Sequence, residues 1–426
     1  MSFMNRIRPS LFDNSKEQIL RNSTFWNLCA SVLNSMMTAL LLFFVMRLNG
    51  VDDAGLFSIA SALAYQALTV GLFGVRNYHA ADVYNKFQFS DYYYLRIITC
   101  IMMYGIVVYY AFFQGYTVEK ASVVFAFSVF KSIDAIEDLY HGEYQRQGRL
   151  DIAAYLQTIR YVISLLVLVL LLFVTHNLPL TCLVTSALSL AVFIIQNISL
   201  INSFVKKPRT FRFNQVKSLL IATLPLCIST WLNIYILNAA KYSIDKVLSA
   251  DAQAYYGTLV LPVFTINLLA TVIYRPYITG LAEDWKSGNL KRFLHGCFKQ
   301  LIVIGILTVV ITAFGWTIGL KLLSLLYGMD LAEYMLPFVL LLVGGGLNTL
   351  AVFMTVLLTI QEKQNMILVG YILSFVFCVI FSDRIVQYYD ILGASLIYTA
   401  ASGILCCFYS AVFLTVLQHQ KRRTEA

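Results

Sequence analysis

The sequence predicts an all-α polytopic membrane protein with twelve transmembrane helices arranged as two six-helix bundles. Hydrophobic residues make up 59% of the chain, and charged residues only 12%. Apolar stretches follow one another with little polar sequence between them, and each approaches or exceeds the roughly 20 residues that a helix needs to cross a bilayer. A basic segment at 205–217, VKKPRTFRFNQVK, separates six of these stretches from the next six.

The predicted helices of the first half end where charged or turn-forming residues interrupt the apolar sequence. In chain order the interruptions read NGVDDAG, RNYHAAD, QGYTVEK, HGEYQRQGR and THNLP. The sixth helix runs directly into the basic segment. The six predicted spans are 23–48, 55–76, 95–114, 121–140, 152–174 and 181–204.

The second half is divided in the same way, by KYSIDKVLSADAQ, a longer segment at 277–300, YGMDLAE, QEKQ and SDRIVQYYD. Part of 277–300 predicts an amphipathic helix at the membrane surface. Pro225 and Pro262 predict breaks in the first two of these spans, because proline lacks the backbone N–H that a helix uses. Three glycines at 344–346 predict close packing or a kink. The six predicted spans are 218–240, 254–276, 301–323, 334–360, 365–381 and 391–417.

The basic residues give these spans a direction. With the N-terminus inside, 23 of the 31 Lys and Arg residues lie on the inner side and 6 on the outer side, while Lys131 and Arg160 lie within helices. This asymmetry follows the positive-inside rule and predicts that both termini are cytoplasmic. The net charge of +9 therefore reports topology, and no nucleic-acid partner is expected. The predicted plan is a cytoplasmic N-terminal segment (1–22), an N-terminal six-helix lobe (23–204), a basic cytoplasmic linker (205–217), a C-terminal six-helix lobe (218–417) and a cytoplasmic tail (418–426).

The two halves match under a shift of 199 residues. This shift lays the first span on the seventh and the second on the eighth, so both copies run in the same direction across the membrane. Such a pattern indicates a parallel internal repeat about an axis along the membrane normal. The matched pairs are Asn34 with Asn233, Arg47 with Lys246, Asp52 with Asp251, Phe57 with Tyr256, Arg76 with Arg275 and Tyr78 with Tyr277.

Charged residues inside the fourth and fifth spans are the first functional candidates, because charge is costly within a membrane. At 100° per residue, one stripe of the fourth span covers an arc of about 80°. Its members are Lys131, Asp134, Asp138, His141 and Gln145, and the fifth span adds Arg160. One interpretation is local neutralisation, with Lys131 paired to Asp134, and Arg160 to Glu137 or Asp138. The other is that the stripe lines a water-filled pathway.

Polar and cationic residues at repeat-related positions form a second group of candidates. The polar faces are Asn27, Ser31, Asn34 and Thr38 in the first span and Thr223, Thr230, Asn233 and Lys241 in the seventh. They serve either hydrogen bonding between helices or the walls of a shared cavity. Arg47 and Lys246 lie at outer helix ends, and Arg76 and Arg275 at inner ends. These four either anchor helix ends by snorkelling or create a positive potential suited to an anionic group such as a pyrophosphate.

Enzyme motifs are absent from the sequence. It contains no GxxxxGK[ST] phosphate loop, no DxD, no HExxH and no GxSxG. The five histidines are scattered, and the eight cysteines show neither disulfide nor metal spacing. We therefore expect neither an enzyme nor a bound cofactor or metal.

Two regions carry a family resemblance. Residues 238–285 contain KYSIDKVL, followed by YYG, an apolar run and a closing proline, and they resemble the seventh and eighth spans of Wzx-type polysaccharide flippases of the MOP superfamily. Residues 52–82 resemble the same family. The resemblance implies a MATE-like, V-shaped pair of six-helix bundles around a central cavity.

The resemblance also implies a function. Its members move undecaprenyl-pyrophosphate-linked oligosaccharide repeat units across the bacterial cytoplasmic membrane by alternating access, for capsule, exopolysaccharide or O-antigen (lipopolysaccharide) biosynthesis. The implied partners are this lipid-linked glycan, the lipid bilayer, a polysaccharide polymerase and a chain-length regulator. The candidate substrate-binding residues are Asn34, Arg47, Arg76, Lys131, Asp134, Arg160, Asn233, Lys241, Asp245, Lys246 and Arg275.

Other functions stay open. A cation-coupled exporter of drugs or metabolites would use Asp134 or Asp138 as its coupling carboxylate. However, proton-coupled relatives of that kind tend to carry a carboxylate in the first span, and 23–48 has none. A membrane polysaccharide polymerase or acyltransferase is disfavoured because such enzymes usually need a large external loop or a buried histidine. A scaffold without transport activity would give the charges within the membrane little purpose.

Overall fold

The computed structural model describes residues 15–76, 79, 87–204 and 211–425, which are helical almost throughout. The helices of the first half are α1 (Lys16–Asn49), α2 (Val51–Leu72), α3 (Phe89–Phe113), α4 (Val118–Arg146), α5 (Leu150–Thr175) and α6 (Leu178–Phe204). Those of the second half are α7 (Phe213–Val247), α8 (Ala250–Leu259), α9 (Leu261–Tyr274), α10 (Ile278–Lys286), α11 (Leu290–Phe314), α12 (Leu320–Tyr327), α13 (Met335–Ile360) and α14 (Gln364–Glu425). The predicted all-α membrane fold is confirmed.

Ten helical stretches in the described ranges are long and apolar enough to cross a bilayer. α4 is not one of them, because charged side chains recur along its 29 residues. α14 counts once although it contains two predicted spans. These are divided at Asp390, where the backbone leaves helical geometry with φ 49° and ψ −131°. The number of twelve spans therefore stays a prediction, and these two elements account for the difference.

Local signals in the sequence explain several helix ends. Ser15 and Gln18 form a reciprocal capping box at the start of α1, and the Ser249 hydroxyl accepts a hydrogen bond from the backbone N–H of Ala252 at the start of α8. Gly50, with φ 98°, separates α1 from α2. The 199-residue shift carries Gly50 onto Ser249, which lies between α7 and α8. The chain therefore breaks at equivalent places in the two copies.

The two prolines behave differently. Pro262 lies at the start of α9, where the chain is interrupted after α8, so the predicted break is confirmed. Pro225 lies inside α7, which continues through it, so the break predicted there is wrong. The predicted surface helix corresponds to α10, which buries Leu281 and packs Trp285 against Phe293 at a ring-centroid distance of 5.0 Å.

The chain forms two compact units, Met1–Trp231 and Leu232–Ala426. The division falls inside α7, so this helix belongs to the first unit at its start and to the second at its end. Only part of the predicted linker, 205–217, lies within the described residues, and α7 already begins inside it. The predicted domain boundaries stay predictions.

The core of each unit is apolar and closely packed. In the first unit, α2 is buried over most of its length and packs against α3, α4 and the start of α7. In the second unit, the glycines at 344–346 bring α13 against three neighbours, since an added Cβ would collide with Thr399, Val263 and Thr308 respectively. Because α13 continues unbroken through these glycines, they serve close packing and not a kink.

Candidate functional site

Four charged side chains meet inside the first unit. On α4, Lys131 donates from Nζ to Oδ2 of Asp134 at 2.9 Å. Arg160 of α5 reaches Oδ1 of the same aspartate at 2.5 Å and Oε2 of Glu137 at 2.6 Å. Its Nε lies 3.1 Å from Glu137 Oε2, and its Nη1 donates to the hydroxyl of Ser189 on α6 at 3.0 Å. Arg160 therefore bridges three helices.

Aromatic rings surround these charges and extend the network to α1 and α2. Lys131 Nζ lies 4.4 Å from the centroid of the Tyr65 ring, and the Tyr65 hydroxyl accepts a hydrogen bond from Thr38 of α1 at 3.1 Å. The Arg160 guanidinium lies 4.8 Å from the ring centroid of Tyr161. An aromatic face attracts a cation, so both rings help to hold the charges in place.

The network reaches Asn34 through a tyrosine. The Tyr161 hydroxyl donates to Oδ1 of Asn34 on α1 at 3.0 Å, and Asn34 is otherwise exposed. The structure thus places four candidates in one connected group: Asn34, Lys131, Asp134 and Arg160. Glu137 and the two tyrosines complete this group, which we call the α4–α5 network.

The α4–α5 network is balanced in charge. Two cations, Lys131 and Arg160, face two carboxylates, Asp134 and Glu137, and the side chains of all four are at most 9% exposed. Buried charges are tolerated only when they are paired and hydrogen-bonded. The predicted local neutralisation is therefore confirmed, with Glu137 and Asp134 as the partners of Arg160. The pathway interpretation stays a prediction.

A second group of charges lies further along α4. Asp138 accepts from Arg76 at 3.3 Å and from Arg96 of α3 at 3.1 Å. Arg96 is buried and also bonds to the carbonyl of Gly71, at the end of α2. Exposure of the stripe side chains is 0% for Lys131, 15% for Asp138 and 3% for His141, and Gln145 at its end is exposed. The stripe is therefore partly accessible at Asp138 and exposed at Gln145, toward the end of α4 that is predicted to be cytoplasmic.

The end of α4 carries a further buried contact. His79 Nε2 lies 3.0 Å from Oε2 of Glu143, and its ring stacks on Tyr92 at a centroid distance of 4.1 Å. Arg146 and Gln147 donate to the other oxygen of the glutamate at 2.8 and 2.7 Å. No sequence pattern singled out these residues, because the contact joins positions 64 residues apart.

In the second unit the candidates are more dispersed. Lys246 and Ser243 of α7 contact the two oxygens of Asp383 at 3.1 and 2.6 Å. Lys241 is 8% exposed and forms no salt bridge within the described ranges. Asn233 and Asp245 are half-buried, while Arg275 is exposed in a single 3-10 turn between α9 and α10. Arg47 is exposed near the end of α1 in the first unit.

Sequence reasoning missed the role of two residues, Tyr161 and Arg96, and gave too little weight to a third, Glu137. It treated Glu137 only as one possible partner of Arg160, gave no role to Tyr161, and counted Arg96 only as a basic residue of the inner side. Glu137 lies beside the predicted stripe and not on it, and α5 draws it into the network. One signal was available for Arg96, since a charged residue inside an apolar helix calls for a partner.

Comparisons with known proteins identify the fold. No protein-family model matches the chain. It is 22% identical over 398 residues to the capsular polysaccharide biosynthesis protein CapF of Staphylococcus aureus, covering 90% of this chain and 98% of that protein. It also resembles the structure of a multidrug resistance MATE family transporter of the MOP superfamily in an inward-facing conformation, with a TM-score of 0.71 at 11% identity over 91% of this chain and 96% of the other.

Two further structures show the same fold. The eukaryotic MATE transporter AtDTX14 matches with a TM-score of 0.62 at 13% identity, over 95% of this chain and 99% of the other. A MOP superfamily transporter from Pyrococcus furiosus matches with a TM-score of 0.58 at 11% identity, over 96% and 98%. Fold and relative together support a transporter. The chain has the MATE fold of MOP superfamily transporters. The fold implied by the resemblance of residues 52–82 and 238–285 is therefore confirmed.

Proposed function

We propose that the protein is a flippase that moves undecaprenyl-pyrophosphate-linked oligosaccharide repeat units across the bacterial cytoplasmic membrane for cell-surface polysaccharide biosynthesis. The observation that carries this proposal is the combination of two similarities along nearly the whole chain. The fold is that of membrane transporters. The curated relative, aligned over 90% of this chain, is named for capsular polysaccharide biosynthesis. A lipid-linked glycan is the cargo that a membrane transporter would carry in polysaccharide biosynthesis.

The chemistry of this cargo suits the exposed cations. A pyrophosphate is recognised by lysine and arginine through charge-assisted hydrogen bonds. Arg47, Arg275 and Lys246 are exposed, and Arg76 is partly exposed. We assign pyrophosphate binding to the cations of each unit taken by itself, Arg47 and Arg76 in the first and Lys246 and Arg275 in the second. Lys131 and Arg160, whose charges are already balanced by carboxylates, then support the site from within the first unit.

Movement of the cargo requires two states that bind it differently. In alternating access, binding on the cytoplasmic side favours one state, and release on the outer side favours the other. The positive-inside distribution of lysine and arginine supports a cytoplasmic location for both termini. The lipid tail stays in the bilayer, and only the pyrophosphate and the sugars need a polar path. A polysaccharide polymerase and a chain-length regulator are the partners that such a flippase would supply.

A cation-coupled exporter of drugs or metabolites is the second candidate. It is favoured by the structural match to a multidrug resistance MATE transporter. Against it, both oxygens of Asp134 are engaged by Lys131 and Arg160, and both oxygens of Asp138 by Arg76 and Arg96. Neither carboxylate predicted for coupling is therefore free to take up a cation. Efflux of a cationic dye from cells, dependent on this gene, would support the exporter.

Deletion of the gene in its own host tests the flippase. We expect lipid-linked repeat units to accumulate on the cytoplasmic leaflet and surface polymer to disappear, with recovery on complementation by the wild-type gene. The measurement is extraction of the lipid-linked units together with quantification of surface polysaccharide. If polymer persists in a strain that has no second flippase, the proposal is wrong.

A pair of substitutions tests the cation assignment. Arg275→Ala should reduce export by about tenfold or more, the factor that corresponds to about 1.4 kcal/mol. Lys321→Ala removes another exposed cation, which lies in α12 on the predicted outer side of the membrane, and it should leave export unchanged. Both variants are compared at equal expression in the complemented deletion strain. Equal export by the two would contradict the assignment.

A further inference from the structure

One gap in hydrogen bonding remains at the edge of the α4–α5 network, between Glu137 and His141. Glu137 accepts both hydrogen bonds from Arg160 on Oε2, and its other oxygen, Oε1, has no hydrogen-bond partner among the described residues. His141, one turn further along α4, places Nε2 at 3.9 Å from this oxygen, and this nitrogen is likewise unpartnered there. Both side chains are at most 3% exposed.

The gap is costly as it stands. A hydrogen bond between such atoms needs about 2.7–3.2 Å, so 3.9 Å leaves both groups unsatisfied. An unsatisfied buried polar group costs about 1–3 kcal/mol. When the neutral His141 ring carries its hydrogen on Nδ1, the lone pairs of Oε1 and Nε2 also face and repel each other. A single proton between Oε1 of Glu137 and Nε2 of His141 would satisfy both atoms at once, after a movement of about 1 Å.

We propose that Glu137 and His141 form a proton-binding site within the first unit. A proton delivered by water binds to Oε1 of Glu137, and the resulting carboxylic acid donates a hydrogen bond to Nε2 of the neutral His141 ring. The proton leaves by the same atoms in reverse, and no covalent bond between heavy atoms changes. The pair itself is buried, and water would reach it past its neighbours on the α4 stripe, Asp138 and Gln145, which are more exposed and lie toward the predicted cytoplasmic side.

The surroundings explain why the proton resides on the glutamate. The charged and titratable groups around the pair are Lys131, Asp134, Asp138 and Tyr144 of α4, Arg160 and Tyr161 of α5, Arg96 of α3 and Arg76 after α2, while α6 contributes the Ser189 hydroxyl. Four of these groups are cations and two are carboxylates. These four cations repel an imidazolium at His141, and burial of the pair disfavours an ionised carboxylate at Glu137, so the proton is held as a neutral acid beside a neutral ring.

The same geometry favours a proton over a metal cation. Hard cations take several oxygen ligands, commonly six or more for the divalent ions. The gap offers one free carboxylate oxygen and one imidazole nitrogen. Lys131 and Arg160 lie beside it as competing positive charges.

Proton binding would alter the contact between α4 and α5. It removes the negative charge of Glu137 that faces Arg160, so that Asp134 alone retains a full charge interaction with the guanidinium. Any difference in proton affinity between two transport states then couples proton uptake to the change of state. This coupling step rests on the proposed transport function, whereas the proton site itself does not.

Infrared difference spectroscopy of the full-length protein in liposomes, titrated from alkaline to acidic pH, tests the site without any transport substrate. We expect a carboxylic-acid C=O band to appear on acidification in the wild type and to be lost in Glu137→Gln. Asp151→Asn is the control, because Asp151 is a buried carboxylate of α5 that is held at 3.0 Å by Arg149. The band should persist in this variant.

A second variant guards against loss of folding. His141→Asn keeps the contact between Glu137 and Arg160 but removes the ring nitrogen, so the band should shift in frequency and remain. The site is disproved if the wild type shows no titrating acid band, if the band survives Glu137→Gln, or if sodium suppresses it at constant pH. These outcomes are independent of the gene-deletion experiment, so either proposal can fail while the other stands.

Discussion

At the scale of single residues, Arg160 organises the interior of the first unit. Its guanidinium contacts Asp134, Glu137 and Ser189 and stacks on Tyr161, so one side chain links α4, α5 and α6. Only arginine offers a planar fork with five donors for such a set of acceptors. The burial of its charge is tolerable because two carboxylates offset it.

Removal of this guanidinium should destabilise the protein strongly. We expect Arg160→Gln to lower the free energy of unfolding by about 3–5 kcal/mol, because Glu137 then loses the cation that it contacts while Asp134 keeps only Lys131. Tyr161→Phe loses the hydrogen bond to Asn34 and the weaker one accepted from Gln157 at 3.4 Å, and it should cost about 0.5–1.5 kcal/mol. The measurement is denaturant unfolding in detergent, with Lys321→Gln as an exposed control. Similar stability of Arg160→Gln and the control would contradict the buried network.

At the scale of elements, close helix contacts rather than charges shape the second unit. The two parts of α14 fold back at Asp390, and Gly393 lies so close to the carbonyl of Ile385 that a Cβ would overlap it. Between the two parts of α14, a Cβ at Gly370 would also overlap the ring of Tyr409, whose hydroxyl donates to the Ile367 carbonyl at 2.8 Å. Small residues allow such contacts between helices that have no hydrophobic driving force in lipid.

The hairpin in α14 gives a prediction with a matched control. Gly393→Ala forces the backbone of Ile385 to move, so we expect a loss of about 1–3 kcal/mol from overpacking. Gly305→Ala introduces the same methyl group in α11, where nothing lies within 4 Å, so this variant should be as stable as the wild type or more stable. Thermal unfolding of the purified proteins compares the two. If Gly393→Ala unfolds at the wild-type temperature, the tight turn is not as described.

The elements also show how far sequence reasoning extends. The length of the apolar stretches predicted a helix at each span, and the structure has helix there, because crossing the bilayer requires a helix of about 20 apolar residues. The break at Pro262 was predictable, whereas the continuous helix through Pro225 was not, since tertiary packing decides whether a helix survives a proline. Spacing along α4 identified Lys131 and Asp134 as partners. It could not decide between Glu137 and Asp138 as the partner of Arg160, nor show that Arg160 would also reach Asp134.

At the scale of the whole molecule, the chain combines two compact units with the MATE fold. Hydropathy was enough to predict an all-α membrane protein, because the bilayer imposes long apolar helices, whereas the MATE-like arrangement was implied by the resemblance of residues 52–82 and 238–285. The candidate site was less predictable. Contacts such as His79 with Glu143 depend on packing between distant segments, which a single sequence does not encode as a pattern.

The central claim is that the protein moves a lipid-linked oligosaccharide between leaflets. The most direct test places the purified protein in liposomes with undecaprenyl-pyrophosphate-linked repeat units and adds a membrane-impermeant glycosidase. We predict that units from both leaflets become cleavable over time in the presence of the protein, more slowly with Arg275→Ala and at the wild-type rate with Lys321→Ala. If the inner-leaflet units stay protected in protein-containing liposomes as they do in protein-free ones, the account is contradicted.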